Sequence, residues 1–178
     1  MAVNALYGSK LAPRRIWQIT MEGPFKEEVI FRGFVQSGIG FIQAGVKRYI
    51  MRRELTPREI EVQKLVRIHL TAFVFAAAHL KLSYSSMNLR LKNLVFCYLS
   101  GVAYGHLREK YGTISLPFLF HGTSNVLGCY FAIAPTLSSK RICEGALHAN
   151  LLIAYLLGNS EWISEGIRNA RQRFWAML

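Results

Sequence analysis

An all-α membrane protein, a bundle of about four to five spanning helices with an amphipathic helix at its C-terminal end, is the fold class that three observations predict. The 178 residues are 52% hydrophobic and only 18% charged, with a mean hydropathy of +0.21, a balance that soluble domains rarely carry. Apolar runs long enough to cross a bilayer are separated by short basic connectors, the arrangement of a multi-pass chain. In the tail, Ile163, Ile167, Ala170, Phe174 and Leu178 fall on one helical face, opposite Arg168, Arg171 and Arg173. That is the pattern of a helix lying on a membrane surface.

The length suits one domain. Its 22 Lys plus Arg outnumber 10 Asp plus Glu, but the basic residues cluster between apolar runs, where they meet anionic headgroups. A nucleic-acid partner is not expected, since that would call for a basic face interleaved with polar residues. Cys97, Cys129 and Cys143 are odd in number, far apart and without metal-type pairing, so buried free thiols are expected. No secretory signal is read at the start, because no apolar core follows Lys10, Arg14 and Arg15.

Taken in order, residues 1–23 read as a lead-in with Trp17 at headgroup level. Pro24 suits the first turn of a helix running to about Ile50. A charged connector from Lys47 to Arg67 contains Pro57 as the next helix start, and a second span covers about Leu65 to Leu82. Residues 83–93 read as a loop or cap. The third span, about Leu94 to Leu107, holds Gly101 and Gly105, a small-xxx-small spacing that lets two helices approach closely. A basic turn at Arg108 to Gly112 precedes the fourth span, about Ile114 to Ile133, with Pro117 in its first turn. A shorter fifth run covers Gly145 to Gly158. The domain division is thus 1–23, 24–158 and the interfacial tail 159–178. The positive-inside rule places the Lys47–Arg67 connector, with Arg108 and Lys110, in the cytoplasm.

Few polar residues interrupt the apolar runs, and their spacing is informative. On a helix Glu28 and Arg32 share a face, whereas Glu27 is turned about 100° away and has no built-in partner. Ionisable groups inside a membrane are costly unless paired, so Glu27 needs an explanation. Phe75 and His79 are four apart, so the ring can fix the imidazole's direction. His121 and Asn125 are also four apart and could donate to one oxygen. His69, His106 and His148 fall on no such pattern and read as ordinary hydrogen-bonded histidines.

Glu27-Glu28-x-x-x-Arg32, Phe75-x-x-x-His79 and His121-x-x-x-Asn125 resemble, in order and spacing, the three motifs of the CAAX-protease and bacteriocin-processing family of intramembrane endopeptidases. The likeness extends over about Pro24 to Leu127, including Phe31-Arg32-Gly33, Leu80 and Tyr111-Gly112. It implies a multi-pass integral membrane hydrolase that cuts peptide bonds of a peptide or protein substrate, lipidated ones included, near the bilayer.

The resemblance also implies roles. Glu27 would be the general base that deprotonates water, with His79 holding and polarising that water. His121 and Asn125 would form the oxyanion site, and Glu28 with Arg32 a structural pair. A metal-free mechanism fits the Asn125 donor and the Glu28–Arg32 pairing better, so no cofactor is favoured. Were zinc present, Glu27, His79 and His121 would be its ligands. The alternative is a non-catalytic member that binds a peptide in the membrane or confers bacteriocin immunity.

Overall fold

A computed structural model describes residues 13–81, 87–134 and 136–177 of the chain. All elements in that range are helical: α1 (Pro13–Met51), α2 (Pro57–Ala78) with a 3-10 turn at His79–Lys81, α3 (Met87–Tyr111), α4 (Ser115–Ile133), α5 (Leu137–Gly158) and α6 (Ser160–Met177). The all-α expectation holds for this range. Part of the predicted 83–93 loop, Pro135 and Leu178 lie outside the described residues.

Three helices reach beyond the apolar runs that mark them. α1 is already helical at Pro13, before Pro24, α3 is already helical at Met87, before Leu94, and α5 starts at Leu137 and not at Gly145. The basic turn predicted at Arg108 is instead the last turn of α3, closed by Gly112 at φ +68°. Hydropathy marks only the buried or lipid-facing part of a helix, while caps and glycines set its ends. The Thr136 hydroxyl, for example, accepts from the Ser139 amide at 3.1 Å and opens α5.

α2 begins where Pro57 predicts, and its start is locked by side chains. Thr56 accepts from the Glu59 amide at 3.3 Å, and Glu59 accepts from the Thr56 amide at 2.8 Å. This reciprocal capping box satisfies two donors that the helix itself leaves unpaired. Arg53 grips the same carboxylate with both guanidinium nitrogens, which together with the Thr56 bonds holds the Glu59 carboxyl down at about 2.

Pro24 does not begin a helix; it sits inside α1. A proline in a helix lacks the N–H that would reach back one turn, and the chain absorbs this with a widened turn over Gln18–Glu22, in which the Gly23 amide bonds to the Gln18 carbonyl. The expected partner of the Ile19 carbonyl is thereby diverted, and that of the Thr20 carbonyl does not exist. Both acceptors are left to neighbours.

α3 is the central helix and packs on α2, α4 and α5. The Gly101 and Gly105 spacing works as predicted, and the partner is α2: a Cβ at Gly101 would lie 2.9 Å from Ala72, and one at Gly105 would lie 2.9 Å from Ile68. On the far side, Ala103, Tyr104 and Leu107 pack with Ala154 of α5. Cys97 and Cys129 are buried free thiols and Cys143 is half-buried and free. α6 touches α5 and carries exposed Ile167 and Arg168.

Beside its apolar core the bundle buries charged groups and leaves large apolar side chains on its surface. Glu28, Arg32, Gln36 and His121 are inside, while Phe34, Phe41, Ile42 and Phe73 lie on the outer surface, Phe41 being 82% exposed. Within the described residues α1 alone is both long and apolar enough to cross a membrane by itself. α2 to α5 are 19–25 residues long, but charges near the ends of α2, α3 and α5, and His121, Asn125 and small polar residues within α4, lower the hydropathy.

Two outcomes follow from this packing. Gly101→Val should destabilise the chain by about 1–3 kcal/mol through overpacking against Ala72, whereas Gly38→Ala, where a Cβ meets nothing within 4 Å, should leave the melting temperature unchanged or raised; thermal melts in detergent compare them. The Glu59 cap has a depressed pKa, so its contribution is full above the ordinary value of 4.5 and is lost as the pH falls to about 2. Amide exchange at residues 59–61 should accelerate across that window.

Candidate active site

The three helices that carry the sequence motifs converge at one place. Glu27 and Glu28 come from the middle of α1, His79 from the C-terminal end of α2, and His121 from α4. Glu28 and Arg32 are fully buried, and Arg32 Nε lies 3.3 Å from Glu28 Oε2 across one helical turn. A pair this deep must be held by further bonds to offset its desolvation. Arg32 also donates to the Gly101 carbonyl of α3 and lies over the Phe75 ring at 5.0 Å.

Glu28 has a second partner that its helical spacing does not reveal. Its Oε1 is 2.9 Å from His121 Nδ1, so the carboxylate bridges Arg32 and His121. A carboxylate paired with arginine can only accept, which puts the imidazole proton on Nδ1 and turns Nε2 away from it. His79 is oriented in the same sense. Its Nδ1 donates to the Phe75 carbonyl at 2.8 Å, and a carbonyl can only accept.

The two Nε2 atoms therefore face the same carboxylate. Glu27 Oε2 lies 3.7 Å from His79 Nε2 and 3.5 Å from His121 Nε2. Oε2 is itself buried with no hydrogen-bond partner among the described residues. These separations exceed a direct hydrogen bond and suit a group held between them. Glu27 is partly exposed, with 32% of its side chain accessible, so the edge of the cluster is open while its back is closed.

Aromatic rings hold the imidazoles in place. Phe75 packs on His79 with centroids 4.6 Å apart and meets His121 edge-on at 5.7 Å. Tyr104 stacks on the other face of His121 at 5.4 Å. No motif spacing singles out Tyr104, and the structure makes it one wall of the site. Its hydroxyl pairs with Ser124 Oγ at 3.0 Å, and Asn150 of α5 donates to that same oxygen at 2.9 Å. Tyr104 lies three residues past Gly101, in the segment that the glycines press against α2, and only that juxtaposition could have flagged it.

Asn125 is placed differently from its motif neighbour. Its amide donates to the Ile19 carbonyl at 2.8 Å, one of the two acceptors freed by the widened turn before Pro24. The other, the Thr20 carbonyl, lies 2.9 Å from where a Cβ on Gly122 would stand. His121 and Asn125 thus share α4 but contact different acceptors. Within the described residues no group of three His, Cys, Asp or Glu side chains is arranged to hold a metal ion. His69 pairs with the Tyr98 hydroxyl at 2.7 Å and His106 packs edge-on against Tyr155, both outside the cluster.

Removing Arg32 leaves a buried anion with only His121 to face it. Arg32→Ala should cost about 3–5 kcal/mol, read as a large drop in melting temperature or yield, and wild-type stability of this variant would contradict the pairing.

No curated protein and no solved structure matches the chain. The family model described as type II CAAX prenyl endopeptidase Rce1-like matches residues 15–127, a stretch that contains all three motifs and every side chain of the cluster except Asn150. That match spans more than half of the chain, and it makes the protein a member of the Rce1-like family of membrane-embedded CAAX-type proteases.

Proposed function

We propose that the chain is an intramembrane endopeptidase in which Glu27 activates water against a peptide bond of a prenylated or otherwise lipidated substrate. The observation that carries this reading is the convergence of Glu27 Oε2 with two imidazole Nε2 atoms at 3.5 and 3.7 Å. A water held there loses one proton to Glu27 as its oxygen attacks the scissile carbonyl carbon. His79, fixed through its Nδ1, orients that water with Nε2.

The negative charge then appears on the carbonyl oxygen. His121, protonated on both nitrogens, donates to it from Nε2 while Nδ1 remains on Glu28. Charges balance in that state: Glu27 is neutral with the water's proton, and Glu28 and the oxyanion are matched by Arg32 and the His121 ring. Asn125 adds a second donor if its amide turns from the Ile19 carbonyl to the substrate oxygen. Collapse of the tetrahedral intermediate breaks the C–N bond, and the proton held by Glu27 passes to the departing amine. No step requires a metal, and none is routed through one.

The bundle's apolar exterior and polar interior support a multi-pass setting in which α2 to α5 cross with α1. In that setting the surrounding helices, not the hydropathy of each helix alone, keep the charges out of lipid. The half-exposed edge at Glu27 is the side from which a substrate strand would enter.

Two measurements test the reading. With a prenylated peptide in proteoliposomes, Glu27→Gln should lower kcat by at least about 10²–10⁴-fold, the ordinary worth of a general base, at unchanged melting temperature. Equal peptide capture by both proteins without any cleavage would favour the peptide-binding alternative. Cleavage by the wild type should survive prolonged chelation with 1,10-phenanthroline, and loss that zinc restores would overturn the metal-free mechanism.

A further inference from the structure

A second polar site lies further along α1, at the connector end of the bundle. Gln36, Ser37 and Gly40 of α1, Arg67 of α2 and Arg108, Glu109 and Gly112 around the end of α3 line a cavity of about 160 Å³. Gln36 is two turns beyond Glu28, about 12 Å along the helix at 1.5 Å per residue, so this cavity is separate from the cluster at Glu27.

Most of its charges are spoken for. Arg67 grips Glu109 through Nε at 3.0 Å and Nη2 at 2.7 Å, and its Nη1 donates to Gln43. Gln36 donates to the Gly105 carbonyl and to Glu109. Two buried polar atoms on the lining are left over. Arg108 Nε is a donor and Gln36 Oε1 an acceptor, each without a hydrogen-bond partner among the described residues. Gln36 as a whole is 2% exposed. A buried polar atom without a partner is costly, and two of opposite kind on residues that line one cavity call for an occupant that accepts at one point and donates at another.

The charge of the site narrows the occupant. With Arg67 and Glu109 matched to each other, Arg108 leaves one net positive charge. The setting narrows it further: the α1–α2 junction that follows the Gln36–Gly40 stretch in the chain holds Arg48, Arg52, Arg53, Arg58 and Lys64, and the positive-inside rule assigns that face to the cytoplasmic leaflet with its anionic lipids. From this we infer that the cavity binds a phosphate that carries a hydroxyl group, as in the headgroup of an anionic glycerophospholipid. A phosphate oxygen accepts from Arg108 Nε and a headgroup hydroxyl donates to Gln36 Oε1. Bound there, the lipid clamps α1 to the middle of α2 and the end of α3, and so fixes the helix that presents Glu27. The inference does not depend on the chain being a protease.

The test uses the full chain purified in a zwitterionic detergent, with melting temperature and native mass spectrometry as readouts. Phosphatidylglycerol added to the micelles should raise the melting temperature and remain bound, and phosphatidylcholine should do neither. Arg108→Gln should weaken phosphatidylglycerol binding roughly tenfold, the equivalent of about 1.4 kcal/mol, while Arg58→Gln, on the same basic face but off the cavity, keeps wild-type affinity. If Arg108→Gln does not fold, Arg108→Lys keeps the charge without the buried Nε–H and should still weaken binding. An equal response to sn-glycerol 3-phosphate would make the source a free phosphate and uphold the site. No response of the wild type to either phosphate, or equal losses in Arg108→Gln and Arg58→Gln, would overturn it and leave water as the cavity's content.

Discussion

The rest of the structure depends on one buried carboxylate. Glu28 is fully enclosed and sits between Arg32, one turn along its own helix, and His121, on α4. A buried carboxylate is tolerable only when its charge and its lone pairs are both matched. Arg32 supplies the charge and is in turn tied to α3 through the Gly101 carbonyl. The same ion pair therefore fixes where α1, α3 and α4 stand relative to one another. It also sets the tautomer of His121 and so aims Nε2 at Glu27.

The proline at position 24 has a comparable reach. It removes one backbone donor and forces a widened turn that diverts another, so two carbonyls at Ile19 and Thr20 lose their helical partners. Both point to α4, where Asn125 donates to one and Gly122 leaves room for the other. Unsatisfied backbone is untenable in a low-dielectric interior, and the resulting bonds dock the first helix one motif length from His121. The motif His121-x-x-x-Asn125 thus joins the polar cluster to the helix that carries the acids.

Close helix approach completes the arrangement. Gly101 and Gly105 let α3 lie directly on α2, which brings Tyr104 against His121 from one side while Phe75 of α2 closes the other. Without those glycines α2 and α3 would stand further apart, and Phe75 would move away from His121 and Arg32. A continuous interior polar stripe runs from Glu28 through Arg32 and Gln36 to Glu109 and Arg67, with apolar side chains outside it. Such a distribution is stable only where the exterior meets something apolar, which is the physical content of the membrane reading.

The sequence by itself determined the helical class, the glycine contact and the three motifs, because each rests on spacing along one helix. Glu28 with Arg32, Phe75 with His79 and Gly101 with Gly105 are all one turn apart, and helical geometry alone makes them neighbours. Helix ends were less legible: Pro24 reads as a start, but its cost was absorbed by a local change of helical winding that composition does not encode. Only the tertiary structure decided what crosses between helices. Glu28 as the partner of His121, Tyr104 as its stacking wall, Asn125 on the Ile19 carbonyl and Gln36 on Glu109 all join residues far apart in sequence. Their contacts depend on how helices are rotated and spaced, and that is set by the packing of the whole bundle rather than by any local pattern.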